Sequence, residues 1–175
     1  MSGGADKVLL YGFGNPGRGD DGLGPALAAA IDGLALPGVV VDANYQLTVE
    51  DAAEIAEYAA VVFVDAAVVG PAPFWFHRID DASIRSASVL GWSSHSVSPT
   101  QVVSLARDLF QSSVPAYLLA IRGYVFGELD ESLSPGARAN LTEAVRFASK
   151  ALVDGAFDAY VQEVGHSVAG VFPAA

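Results

Sequence analysis

One stretch near the middle of the sequence limits the fold more than any other feature. The six residues from Ala60 to Asp65 form a continuous apolar run, rich in β-branched side chains, that ends in a carboxylate. A strand that is apolar on both faces must be covered on both faces, which is typical of the interior of a parallel sheet. The segment therefore predicts a central, buried strand in an α/β fold.

The other segments alternate between strand patterns and helix patterns. Apolar runs predict strands at 8–11, 39–42, 74–79 and 115–124, and helical patterns occupy 23–31, 48–58, 98–110 and 135–155. Pro71 and Pro73 precede the strand at 74–79, and prolines are typical of an edge strand. Because each crossover helix must pack back over the sheet, we expect a three-layer α/β/α sandwich. Its sheet should be mainly parallel, with one antiparallel edge strand.

Helix starts are marked by capping residues. Ser98 followed by Pro99, with Gln101 three positions after the serine, predicts a capping box at the start of one helix. Ser134 followed by a proline predicts the start of the last long helix in the same way. Thr48 and Asp51 have the spacing of another capping box.

Length and cysteine content limit the architecture and the chemistry. A chain of 175 residues suits a single domain spanning 1–175, in which the region from about 155 onward has no clear pattern. The absence of cysteine excludes disulfides, thiolate metal sites and thiol nucleophiles together. No signal-peptide layout is visible, and no apolar run reaches about 18 residues. We therefore expect a cytoplasmic protein without a membrane segment. Because one core uses the visible apolar segments, we also expect a monomer.

The charge balance is strongly acidic. Twenty acidic residues against nine basic residues give a formal net charge of −11. Such a chain repels phosphate backbones and anionic lipids, so nucleic acid and membrane surfaces are poor partners. A polypeptide partner with a basic surface is compatible with this charge.

Potential metal ligands follow three of the predicted elements. Asp20 and Asp21 end the loop after the first strand, Asp65 ends the central strand, and His95 precedes the helix that starts near 98. Carboxyl ends of parallel strands meet at one edge, so these side chains are expected to converge. Two carboxylates and one imidazole suit a divalent first-row metal with open coordination positions. Each also has a structural explanation, such as packing of His95 beside Trp92.

The loop after the first strand also resembles a nucleotide-binding pattern. Residues Gly12 to Gly17 satisfy G-x-G-x-x-G, and Asp42 ends the second strand where a ribose-binding acid is expected. In the dinucleotide fingerprint the last glycine opens the helix, whereas here five more residues, including two aspartates, follow Gly17. The aspartates compete with a phosphate for the positive end of the helix. A nest of loop amides that accepts an anion remains an alternative.

A family resemblance rests on four segments in the same order. Residues Gly12 to Gly24 resemble the opening G-x-G-N-x-x-x-x-D-[DE]-G-x-G of the nickel-iron hydrogenase maturation endopeptidases. Val62 to Ala66 is similar to that family's strand ending in Asp-Ala, and His95 to Pro99 is similar to its histidine segment. Leu133 to Pro135 resembles its Leu-Ser-Pro step. Together these segments span nearly the whole chain.

The resemblance implies a hydrolase that removes the C-terminal extension from the large-subunit precursor of a NiFe hydrogenase after nickel insertion. By the same resemblance, Asp21, Asp65 and His95 are the catalytic and nickel-contacting residues, with the nickel presented by the precursor. Zinc or another divalent metal is expected to substitute. Many members of the family have Glu at the position of Asp21. The aspartate side chain is shorter by one methylene.

Three more residues are expected to line the site and contribute to binding of the metal cofactor. They are Gly14, Asn15 and Asp20. Asp20 has two further interpretations, as a neighbouring base or as a charge at the helix terminus. Two other functions stay open from the sequence: a nucleotide-binding Rossmann-like or flavodoxin-like module, and a non-catalytic chaperone of the hydrogenase precursor.

Overall fold

The computed structural model describes residues 6–82, 97–127 and 129–161, and the predicted ligand His95 lies outside these residues. The strands are β1 (Val8–Phe13), β2 (Val39–Asn44), β3 (Ala60–Ala67), β4 (Phe74–Arg78) and β5 (Ala116–Arg122). The main helices are α1 (Leu23–Asp32), α2 (Asp51–Ile55), α3 (Pro99–Phe110) and α4 (Pro135–Asp154), and a 3-10 turn at Asp20–Gly22 leads into α1.

The strands form one sheet in the order β2-β1-β3-β5-β4. β1 pairs in parallel with β2 and β3, and β3 pairs in parallel with β5. β4 runs antiparallel to β5 at the edge, directly after the two prolines of the preceding loop. The predicted mainly parallel sheet with one antiparallel edge strand is therefore confirmed.

The central strand β3 supplies side chains to both faces of the sheet. Val62 and Val64 belong to the core on the face covered by α1 and α4. Val61 and Phe63 belong to the core on the opposite face, which α2 and α3 cover. Alternation along a strand produces this division, and the two cores make the three layers predicted from the sequence.

Two of the three predicted helix caps are present. Ser98 Oγ accepts the Gln101 amide at 3.2 Å, and Gln101 Oε1 accepts the Ser98 amide at 2.8 Å, which completes the capping box of α3. Ser134 Oγ accepts the backbone amide of residue 137 at the start of α4. The box expected at Thr48 is wrong, because α2 begins three residues later and Asp51 accepts both Thr48 donors.

Close backbone contact places α1 on the sheet. A Cβ atom on Gly24 would lie 2.3 Å from the Phe13 oxygen and 2.6 Å from the Val64 oxygen. A Cβ atom on Gly12 would lie 2.3 Å from the Gly24 oxygen. Only glycine permits this approach, which seats the N-terminus of α1 against β1 and β3. The loop before α1 is therefore held at the carboxyl ends of these strands.

Some element boundaries differ from those predicted. β1 continues through Gly12 to Phe13, because Gly12 keeps its register with Ala43 of β2 and Val64 of β3. α2 ends at Ile55 rather than near 58. After a break at residues 155 and 156, residues 157–161 form a further short helical stretch. Among the residues that the structure describes, no helix is both long enough and apolar enough to cross a lipid bilayer.

Candidate functional site

The candidate site lies at the carboxyl edge of the sheet, between β1 and β3. β1 connects to β2 on one side, whereas β3 and β5 lie on its other side. This reversal of strand order opens a crevice where ligands bind in open α/β sheets. The loop from 14 to 22 and the end of β3 both border that crevice.

Asp21 occupies the 3-10 turn immediately before α1. Its Oδ2 atom accepts a hydrogen bond from the Asn15 amide at 2.8 Å. Asn15 Oδ1 in turn accepts the Gly17 amide at 2.9 Å, which closes the loop on itself. Gly14 has a φ of 138°, and a Cβ atom there would lie 2.1 Å from the Asp21 backbone oxygen. The predicted residues Gly14 and Asn15 thus shape and hold the loop around Asp21.

Asp65 lies near the end of β3 and is close enough to Asp21 for their charges to interact. Its Oδ1 atom accepts the Ala66 amide at 2.8 Å. Burial raises the pKa of Asp65 to about 7; the Ala66 amide opposes this rise, and the negative charge of Asp21 adds to it. The two carboxylates that the sequence predicted to converge are therefore near enough for their charges to interact.

No basic side chain among the described residues forms an ion pair with either carboxylate. The ion pairs are Arg78 with Asp158, Arg107 with Asp81, and Arg146 with Glu143. Two neighbouring carboxylates without a cation repel each other, and a divalent ion relieves that repulsion. The oxygen donors of Asp21 and Asp65 fit such an ion. Within 6–82, 97–127 and 129–161 no group of three or more potential ligands occurs.

Asp20 has a different environment from Asp21. It is fully buried, and its Oδ2 atom accepts the amides of Tyr124 and Val125 at 2.7 and 2.9 Å. Ser134 donates its amide to Oδ1 and its hydroxyl to Oδ2, both at 2.7 Å. Burial alone would raise the pKa of Asp20, but these hydrogen bonds outweigh burial and lower it. Asp20 thus links the loop to the segment before α4, and cofactor binding by Asp20 stays a prediction.

The backbone amides of the loop have no free hydrogen to donate to an anion. Each non-proline residue from 14 to 22 donates its amide hydrogen within the protein. The acceptors are Asn44 O, Asp21 Oδ2, Asn15 Oδ1, Asn15 O, Asp130 O, Val125 O, Arg18 O and Gly19 O. A phosphate would have to displace these bonds, each of which stabilises the loop. The nest and dinucleotide interpretations therefore lose their physical basis.

Exposed apolar side chains border the site, and sequence reasoning missed them. Tyr45 follows β2, Val68 and Val69 follow β3, and Tyr124 and Val125 follow β5. These strands are parallel, so their ends meet at the same edge as Asp21 and Asp65. Exposed apolar surface of this kind is typical of a site that binds protein or peptide. Apolar residues directly after a strand were the signal in the sequence.

Among the residues that the structure describes, two of the cavities lie at opposite ends of the strands. One of about 170 Å³ is lined by residues of the loop before α1 and of the end of β2. The other, about 370 Å³, lies at the amino end of β5. Two of its four charged lining residues, Asp81 and Arg107, pair with each other at 2.8 Å. The smaller cavity is therefore the one beside the loop that carries Asp21.

No protein-family model matches the sequence. No curated protein matches it either. Solved structures do resemble the chain.

A hydrogenase 2 maturation peptidase from Thaumarchaeota archaeon SCGC_AB-539-E09 is 22% identical with a TM-score of 0.60, over 83% of this chain and 97% of that chain. The hydrogenase maturating endopeptidase HybD from E. coli is 18% identical with a TM-score of 0.64, over 86% and 94%. The [NiFe] hydrogenase maturation protease HycI from Thermococcus kodakarensis KOD1 is 21% identical with a TM-score of 0.63, over 86% and 94%. The chain therefore has the fold of the hydrogenase maturation peptidases of known structure.

Proposed function

We propose that this chain is an endopeptidase that removes the C-terminal extension of a nickel-loaded NiFe hydrogenase large-subunit precursor. The observation that carries the proposal is the pair Asp21 and Asp65, whose charges interact at the strand-order reversal of a fold shared with hydrogenase maturation peptidases. The four sequence segments that resemble this family support it independently, because they place the same residues in the same order.

Asp21 and Asp65 are held by backbone amides in a way that suits a ligand. The Asn15 amide holds Oδ2 of Asp21, and the Ala66 amide holds Oδ1 of Asp65. The other oxygen of each carboxylate accepts no hydrogen bond from the described residues. We propose that these oxygens contact the nickel that the precursor carries, so the metal belongs to the substrate.

His95 is proposed as the third contact. In the sequence it precedes Val97 by two residues, and Val97 pairs with Leu47 just after the end of β2. An imidazole completes a donor set of oxygen and nitrogen that suits nickel, and zinc or another divalent ion is proposed as a substitute. A divalent ion at such a site supplies polarisation of a carbonyl oxygen or activation of water.

The chain itself contributes positioning of the peptide. The loop that carries Asp21 is fixed by its internal amide bonds, so the carboxylates are set before substrate binds. The exposed apolar residues at the same edge offer surface for an extended polypeptide. The net charge of −11 favours a substrate with basic character. We propose that the processing takes place in the cytoplasm.

The test is to incubate the chain with nickel-loaded and nickel-free precursor and to follow the mass of the large subunit. We expect a truncated product and a released C-terminal peptide only with the nickel-loaded form. Equal cleavage of both forms would contradict the role of nickel in recognition. Stable binding of the loaded precursor without any cleavage would replace the protease by a chaperone function.

A further inference from the structure

A small cavity adjoins the loop that carries Asp21, at the ends of β1 and β2. Its volume is about 170 Å³. Six residues line it: Gly14, Pro16, Pro25, Ala43, Asn44 and Tyr45. Two come from the loop before α1, one from the first turn of α1, and three from the end of β2 and the residue after it. The cavity therefore belongs to the same edge of the sheet as the candidate site.

Gly14 connects the cavity to Asp21. A Cβ atom on Gly14 would lie 2.1 Å from the Asp21 backbone oxygen and 3.6 Å from Pro25 Cδ. The next residue, Asn15, donates its amide to the Asp21 carboxylate. The wall of the cavity and the backbone of Asp21 are thus in direct contact. The cavity therefore lies next to the loop segment that carries Asp21.

The size of the cavity indicates a single side chain. Pockets that bind a whole small molecule usually measure about 300 to 1,000 Å³. A cavity of about 170 Å³ is too small for a nucleotide and larger than one water molecule needs. One side chain of a bound peptide fits this range.

The chemistry of the lining indicates an uncharged side chain. Pro16, Pro25 and Ala43 contribute hydrocarbon, and Tyr45 contributes an aromatic ring. The side-chain oxygen of Asn44 already accepts the Tyr45 amide at 2.9 Å. The lining contains no acidic or basic side chain to pair with a charge, and burying an unpaired charge is costly.

We propose that this cavity receives an aliphatic side chain of the substrate polypeptide, close to the scissile bond. The proposal rests on the proposed endopeptidase function and adds to it a preference for an aliphatic residue in the sequence of the substrate. Asp21 and Asp65 reinforce the preference, because their charges repel an acidic side chain at the neighbouring position. An apolar contact of this size changes kcat/KM by about tenfold to hundredfold.

The experiment compares two exposed alanines. Ala43→Phe fills the cavity, whereas Ala53→Phe adds the same ring on α2 outside it, and both positions are exposed. In the nickel-loaded precursor, three residues on each side of the scissile bond are changed one at a time to Leu, Gly or Asp. We expect one position at which the unsubstituted chain cleaves the Leu form about tenfold to hundredfold faster than the Asp form.

Ala43→Phe should abolish that preference, and Ala53→Phe should keep it. Retention of the full preference by Ala43→Phe would overturn the proposal, as would the absence of a preference at all six positions.

A binding measurement separates this proposal from the proposed function. Acetyl-Gly-Leu-Gly-amide and acetyl-Gly-Asp-Gly-amide are titrated into ¹⁵N-labelled protein, and the amide shifts of Gly14, Asn44 and Tyr45 are followed. We expect saturable shifts with the Leu peptide that Ala43→Phe removes. If these shifts occur while no precursor is cleaved, the cavity assignment stands and the endopeptidase fails. If precursor is cleaved while both peptides shift these amides equally, the cavity assignment fails and the endopeptidase stands.

Discussion

Asp20 and Ser134 are joined by two hydrogen bonds of 2.7 Å, although 114 positions separate them in the sequence. The amide of Ser134 donates to one carboxylate oxygen of Asp20, and its hydroxyl donates to the other. Ser134 also caps α4. The bonds therefore tie the turn before α1 to the start of α4, two helices on the same face of the sheet. Asp21, the next residue, is positioned by this link.

Replacing Asp20 by Asn is expected to destabilise the protein by about 3 kcal/mol. The carboxylate accepts four hydrogen bonds in a buried position, and an amide group turns one acceptor into a donor that faces other donors. Urea denaturation followed by circular dichroism measures the change. Asp32→Asn, at an exposed aspartate, serves as the control and should change the free energy of unfolding by less than about 0.5 kcal/mol.

The same carboxylate predicts a dependence of stability on pH. The folded-state pKa of Asp20 lies below the ordinary value of 3.8. Its contribution to stability is therefore complete above that value and is lost as pH falls through the folded-state pKa. The difference in unfolding free energy between the unsubstituted chain and Asp20→Asn should shrink as pH falls from 5 toward 2. A constant difference over this range would contradict the contribution of the ionised carboxylate.

The negative charge of Asp21 is predicted to influence the titration of Asp65. In metal-free protein labelled with ¹³C at aspartate carboxyl carbons, Asp65 should titrate near pH 7. Asp21→Asn removes a negative charge beside it and should lower the pKa of Asp65, while burial keeps it above 3.8. Asp32→Asn should leave that pKa unchanged. An unaltered Asp65 titration in Asp21→Asn would show that the two carboxylates do not interact.

Replacement of Gly24 is predicted to destabilise the protein for a steric reason. A Cβ atom there would meet the Phe13 and Val64 oxygens at 2.3 and 2.6 Å, so Gly24→Ala must push α1 away from the sheet. We expect a loss of about 2 kcal/mol or more in the free energy of unfolding. Gly33→Ala is the matched control, because its Cβ atom would meet only ordinary contacts at 3.6 Å. Equal effects of the two substitutions would contradict the packing argument.

Local patterns were sufficient to predict most of the fold. The apolar run at β3 and the capping signals at Ser98 and Ser134 depend on neighbouring residues, so they are readable in the sequence. The proximity of Asp21 and Asp65 was also predictable, because Asp21 lies in the loop after β1 and Asp65 lies near the carboxyl end of β3, which pairs in parallel with β1. The early end of α2 was not, since tertiary packing decides where so short a helix ends.

Contacts between segments that are far apart in the sequence could not be predicted from local patterns. No spacing rule pairs Asp20 with Tyr124 or Ser134, so its structural role emerged only from the fold. The glycine pattern after β1 indicated an anion site, yet the amides of this loop bond inside the protein. The same glycines instead serve close backbone packing, as at Gly12. The cavity beside Gly14 likewise depends on segments separated in sequence.

The most direct measurement is cleavage of nickel-loaded large-subunit precursor by Asp21→Asn and Asp65→Asn, with Asp32→Asn as the control. Asn keeps the shape of each side chain and removes its charge, so kcat/KM should fall by about a hundredfold or more in both variants. Circular dichroism should show an unchanged fold, and Asp32→Asn should cleave normally. Full cleavage by folded Asp21→Asn and Asp65→Asn would contradict the assignment of these carboxylates as the catalytic pair.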